Sequence, residues 1–125
     1  MQTVETEKAP LPIGPYSQAV RAGDFLFISG QIGVDPKTKA IVNGDIEAQT
    51  KQTLQNIEAI LGAAGLSFEK VVKITVFLAN MKDFRKMNDV YGTYFKTNAP
   101  ARTTVQAQLP VADALVEIDA IAYSP

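Results

Sequence analysis

Apolar and polar residues recur along this chain with two different periods, and the places where the period changes divide it into elements. From Ile46, the apolar positions Ile46, Leu54, Ile57, Ile60, Leu61 and Ala64 follow three-and-four spacing, the stripe of an α-helix. Asp45 follows the break Asn43-Gly44 and can cap a helix that begins at about Ile46, while Gly65 stands where a left-handed C-terminal residue is wanted. Upstream, Pro10, Pro12, Gly14 and Pro15 exclude regular helix from Ala9 to Pro15. Ser17 to Ala22 and Asp24 to Ser29 flank Gly23 as a β-hairpin. Phe25-Leu26-Phe27-Ile28 is apolar on both faces, which predicts an interior strand ended by Gly30. Asp35-Pro36-Lys37-Thr38 reads as a turn. Val71 to Leu78 is β-branched and strand-like, and Asn80 or Asp83 opens a second helix bearing Phe84, Met87, Tyr91, Tyr94 and Phe95. Pro100 stops that helix from continuing. Arg102 to Leu109 and Leu115 to Tyr123 are two further strands, expected to pair as a long hairpin around Pro110.

The order β-β-α-β-α-β-β predicts an α+β sandwich, one mixed sheet with two helices on one face. In the strand from Arg102, alternation separates Thr103, Val105, Ala107 and Leu109, read as core, from Arg102, Thr104, Gln106 and Gln108. In the last strand Val116, Ile118, Ala120 and Ala122 oppose Leu115, Glu117, Asp119, Ile121 and Tyr123. Paired in suitable register, the two strands would put Arg102 and Glu117 together on the face that the helices leave bare. Such a face is either ordinary solvent surface or an interface with another subunit, and alternation leaves both open. In the second case a neighbour would exclude water from around Arg102 and strengthen its electrostatics.

Composition narrows the chemistry more than the fold. The 125 residues, 46% hydrophobic and 20% charged, suit one folded domain spanning 1–125. Twelve basic residues against thirteen acidic ones leave a net charge of -1, so nucleic acid is not expected as the main partner. Lys82, Arg85 and Lys86 read as a solvated helix face. With no cysteine there is no thiolate nucleophile or Cys-ligated metal, and with no histidine there is no imidazole ligand or Ser-His-Asp triad. Acid–base work falls to carboxylates, lysine, tyrosine or water. No apolar run approaches the ~20 residues that span a bilayer. The first residues lack the basic and apolar segments of a signal peptide, so a cytoplasmic protein away from membranes is expected.

Four strings stand in a telling order: Gly14-Pro15-Tyr16-Ser17-Gln18-Ala19, Ser29-Gly30-Gln31, Pro100-Ala101-Arg102-Thr103-Thr104-Val105, and Val116-Glu117-Ile118-Asp119-Ala120-Ile121-Ala122, with Asn88-Asp89-Val90-Tyr91 between the second and third. Together, nearly end to end, they resemble the Rid (reactive intermediate deaminase, YjgF-like) family. The resemblance implies a chorismate-mutase-like fold, assembled as a homotrimer whose sheets form a central barrel with active sites between subunits. It also implies hydrolysis of 2-aminoacrylate and related imines, such as 2-iminobutanoate and 2-iminopropanoate, released by pyridoxal-phosphate enzymes. The products are 2-oxo acids and ammonia. Small 2-imino and 2-oxo acids would be the partners, and no cofactor is implied.

The resemblance also distributes roles. Arg102 would hold the substrate carboxylate through two parallel hydrogen bonds, although a strand arginine alone is more often a surface salt-bridge residue. Glu117 would position or activate water, for which desolvation would have to assist an otherwise weak base. Tyr16 would stack on the substrate or donate through its hydroxyl, against a rival role in packing. Ser29 and Gly30 would let the ligand approach the backbone, against a simple turn glycine. Asn88, a polar amide on an apolar helix face, would shape the cleft or serve as a buried structural amide. Thr104 stands where many relatives carry cysteine, so the resemblance assigns that position a role through its backbone N–H. A non-catalytic metabolite-binding or chaperone-like trimer and a ribonuclease or translation inhibitor remain alternatives.

Overall fold

Asp45 caps the long helix as its position predicts: its Oδ1 accepts from the backbone N–H of Glu47 at 3.1 Å and of Ala48 at 3.5 Å. The helix, α1, runs Ile46–Ala63. It ends with Gly65 at φ +76° and a hydrogen bond from Leu66 N to Leu61 O of 2.8 Å, an arrangement that favours a residue without a Cβ. The computed structural model describes residues 1–125. Its other elements are β1 (Gln2–Val4), β2 (Ala19–Ala22), β3 (Phe25–Ile32), β4 (Val34–Asp35), β5 (Ala40–Ile41), β6 (Val71–Leu78), α2 (Phe84–Tyr94), β7 (Ala101–Gln106) and β8 (Val116–Tyr123). A 3-10 turn, Met81–Asp83, precedes α2, and Asn80 Oδ1 accepts from Lys82 N at 2.9 Å to start it.

Six strands form one sheet in the order β1-β2-β3-β8-β6-β7, and β4 with β5 makes a separate small hairpin. All neighbours in the large sheet are antiparallel except β6 and β7, which are parallel. This is the α+β fold expected, with β3 interior and Gly23 at φ +59° in the β2–β3 turn. Leu26 and Ile28 from β3, Ile74, Val76 and Leu78 from β6, and Val116, Ile118, Ala120 and Ala122 from β8 share one buried cluster with Leu54, Ile57, Ile60 and Leu61 of α1 and Met87 and Tyr91 of α2. Both helices therefore lie on one face. Each fully buried Leu or Ile contributes about 1.5–3 kcal/mol relative to leaving it in water.

Three expectations fail. Strands β7 and β8 do not form a hairpin: β7 returns through α2 to lie parallel on β6 at the sheet edge, and β8 inserts between β3 and β6. A parallel partner requires a crossover, and α2 supplies it. The register sets Arg102 opposite Ile74 and Thr104 opposite Val76, both fully buried, so Arg102 and Thr104 face the helices. Thr103 and Val105, read as core, lie on the bare face with Thr75, Phe77, Asp119 and Glu117. Arg102 and Glu117 are consequently on opposite faces of the sheet. Finally, Gly30 does not end β3; the register with β8 shifts between Ile28 and Gln31, a bulge that the strand passes through to reach Ile32.

Candidate functional site

The chemistry-bearing residues fall into two groups. At the β7 edge, the guanidinium carbon of Arg102 lies 4.6 Å from the centroid of the Tyr91 ring and 5.6 Å from that of Phe84. The first turns of α2 place these rings, because Phe84, Asn88 and Tyr91 are three and four residues apart and share a helix face. The guanidinium carbon lies over both rings, and no carboxylate of the chain comes within ion-pair distance of it. Around it, Tyr91 Oη, Asn88 Oδ1 and Thr104 Oγ1 are buried without a partner in hydrogen-bond geometry. Burial pushes the Tyr91 phenol up, against an opposing pull from the nearby Arg102 charge and its N–H groups, so the hydroxyl stays protonated. Because β7 is an edge strand, its outer backbone groups are also unpaired.

The second group gathers at the β3 bulge. Glu117 is paired with Ile32 across β3 and β8, and a Cβ built on Gly30 would fall 2.9 Å from Glu117 Cδ. A side chain at this position would make the Glu117 carboxylate shift from where it lies. Burial raises the Glu117 pKa, and the negative charge of Asp119 raises it further. Asp119 is raised by burial too, while hydrogen bonding from Thr75 and the charge of Lys73 pull it back. Ser29 Oγ donates to Ser17 O at 2.6 Å, which commits the hydroxyl's proton to the segment before β2 and leaves its lone pairs. Tyr16, half exposed, accepts from Ile13 N at 3.4 Å through its hydroxyl. Tyr16 and Gly30 line a cleft of about 920 Å³ with Leu11, Ile13, Ile32 and Ile41.

The structure thus puts Arg102, Asn88 and Thr104 on the helix-covered side near the β7 edge, and separately sets Gly30 against Glu117 and beside Tyr16 in the cleft, which neither Ser29 nor Glu117 lines. From β3 to β7 there are three strand spacings, about 14 Å at ~4.8 Å each. With Arg102 and Glu117 also on opposite faces, one chain cannot close both groups on one small molecule.

Several residues that build these groups escape a reading of motifs alone. Gln18, 1% exposed, accepts from Thr6 N at 2.7 Å and donates to Thr6 O at 3.0 Å and Pro10 O at 2.7 Å, which ties down the proline-rich wall of the cleft. Gln49 donates to Asp113 O at 2.9 Å and accepts from Leu115 N at 2.8 Å. Asn56 donates to Ile32 O at 3.2 Å and Val34 O at 2.9 Å. The available signal was the spacing of Gln49, Thr53 and Asn56, polar residues at four and seven positions along the buried stripe of α1. A buried amide there must find backbone partners.

Fold and residues together define a class: a small α+β sandwich with a ring-held arginine at one sheet edge, paired carboxylates on the bare face, and neither imidazole nor thiol. The family model described as Endoribonuclease L-PSP matches residues 6–124. A RutC family protein of Pyrococcus horikoshii is 57% identical over 122 residues, 98% of this chain and 97% of that protein. The 2-iminobutanoate/2-iminopropanoate deaminase of mouse is 46% identical over 121 residues, 97% of this chain and 90% of that one. Among solved structures, Escherichia coli TdcF with bound serine superposes with a TM-score of 0.94 at 41% identity, covering 100% of both chains. The chain belongs to the Rid family, the YjgF/L-PSP group.

Proposed function

We propose that this protein is a 2-iminobutanoate/2-iminopropanoate deaminase, converting R–C(=NH)–COO⁻ and water into R–C(=O)–COO⁻ and ammonia without a cofactor. The observation that carries the reading is the guanidinium of Arg102, half-buried over two rings yet paired with no carboxylate of its own chain. A planar fork in that state suits a small carboxylate. In this mechanism Arg102 fixes the carboxylate, Thr104, Ser29 and Gly30 orient the imine, Tyr16 and Asn88 shape the pocket, and Glu117 guides water onto the imine carbon. The raised pKa of Glu117 makes it a stronger base than a solvated carboxylate. Ammonia then leaves. Such imines already hydrolyse in water, so orientation and one polarised water supply the acceleration.

The separation of Arg102 from Glu117 supports a site shared between subunits, with Arg102 from one copy and Glu117 from the next. The bare sheet face favours the same assembly: Phe25, Phe27, Val105 and Tyr123 are each roughly two-fifths exposed, and the Phe25 and Tyr123 rings lie 5.0 Å apart. A homotrimer in the cytoplasm is the form this reading takes. The mouse relative's name and the serine bound to TdcF are consistent with small amino-acid-derived ligands.

The test is release of ammonia and 2-oxo acid from freshly generated 2-iminobutanoate and 2-iminopropanoate, with light scattering on the same preparation. Acceleration by a trimer is the expected result. A folded protein that never exceeds the uncatalysed background would return the reading to a metabolite-binding protein. A monomer would remove the shared site.

A further inference from the structure

The rings beneath Arg102 belong to a longer stack. Tyr91 is 7% exposed and packs on Phe95 with ring centroids 4.5 Å apart. Phe95 meets Phe68 edge-on at 5.1 Å, and Phe68 meets Tyr94 at 5.5 Å. Tyr91 is thus packed against Phe95, the residue after α2, which is in turn held by Phe68 of the turn before β6, and it presents one ring face to the guanidinium. Its hydroxyl is buried with no partner in ideal hydrogen-bond geometry, although the Arg102 N–H groups lie near enough to act on it, and the ring itself is held by packing on Phe95.

An arginine that is not held by a carboxylate keeps much of its rotamer freedom, and bidentate recognition requires its plane to coincide with that of the ligand carboxylate. A ring face attracts the guanidinium through its quadrupole, more strongly where water is excluded. We propose that Tyr91 is a positioning residue for Arg102: its ring face, backed by Phe95 and Phe68, sets the plane in which the guanidinium meets a substrate carboxylate. This rests on the reading of Arg102 as the carboxylate anchor. The ring face is the part assigned this role.

Steady-state imine hydrolysis by Tyr91→Leu, Tyr91→Phe, Arg102→Ala, Arg102→Lys and the pair Arg102→Lys/Tyr91→Leu tests the proposal. Tyr91→Leu is expected to raise KM about tenfold with kcat within about twofold, because the carboxylate is held equally before and during reaction. Tyr91→Phe keeps the ring face, so its KM stays within about twofold of the intact protein. In the Arg102→Lys background, Tyr91→Leu adds less than about twofold, since an ammonium has no plane to set. If Tyr91→Leu does not fold, Tyr91→Met, an adaptable apolar filler, carries the same expectation.

A Phe variant as impaired as the Leu variant, or a Leu penalty undiminished in the Arg102→Lys background, overturns the platform. An unchanged KM in Tyr91→Leu together with a large loss in Arg102→Ala overturns it while leaving the anchor standing. Full activity in Arg102→Ala removes the anchor reading itself.

Discussion

On the helix-covered side of the sheet, Leu26, Ile74, Val76, Leu78, Val116 and Ile118 are fully buried, and the chain completes that layer with its own helices. On the other side, one residue away along the same strands, Phe25, Phe27 and Tyr123 remain about two-fifths exposed around Glu117, Asp119 and Lys73. The covered face uses its alternate residues for stability. The bare face retains apolar area and half-buried charge, both of which cost free energy in an isolated chain. The contrast fits the subunit contact proposed above, and the ionisable groups on the second face are tuned by burial and by one another.

The largest expected effect contrasts neighbours in β8. Ile118→Ala on the covered face should destabilise the chain by about 2–5 kcal/mol in urea denaturation, through lost transfer energy and a cavity. Ile121→Ala on the bare face should cost under about 1.5 kcal/mol when the protein is dissociated, and more when it is assembled. Equal costs in the dissociated protein would end the distinction between faces. Next, Arg102→Ala should lower kcat/KM by about 10²–10³-fold in the coupled ammonia assay, equivalent to roughly 3–4 kcal/mol of lost carboxylate binding.

Glu117→Gln should lower kcat by about 10–100-fold while leaving KM nearly unchanged, the range for losing one base. The rate of the intact protein should rise with pH through a value above the ordinary carboxylate range, because Glu117 must be ionised and its pKa is raised. A rate that is flat with pH across that range would take the base role away from it.

The smallest effect is on stability. Glu117 and Asp119 both have folded pKa values above their unfolded ones, so the fold binds more protons than the unfolded chain between the two. Their contribution is fully present below the ordinary values of about 4 and is lost as pH rises through the raised ones. Asp119→Asn should therefore raise Tm at neutral pH and lose that advantage below about pH 4. A Tm gain at acid pH instead would contradict the sign.

Much of the chain was legible in its pattern. The limits of α1 follow from Asp45, the three-and-four apolar spacing and Gly65, all local signals that need no partner. Val71–Leu78 and the interior position of β3 follow from β-branched and two-sided apolar runs. The alternation in β8 correctly separated Val116, Ile118, Ala120 and Ala122 from Glu117 and Asp119. The short strands β1, β4 and β5 have two or three residues each and exist only through pairing, so no periodicity announces them.

What the sequence by itself determined, then, was the list of main elements, the two residue sets of each strand, and the family through its ordered strings. Only the tertiary structure decided which set of β7 faces inward. A period of two is symmetric, so alternation divides Arg102 and Thr104 from Thr103 and Val105 without saying which pair meets the helices. The parallel register on β6 broke that symmetry by setting Arg102 beside Ile74, beneath the rings of α2. Partner choice is a non-local property, and here it separated Arg102 from Glu117 by the thickness of a sheet.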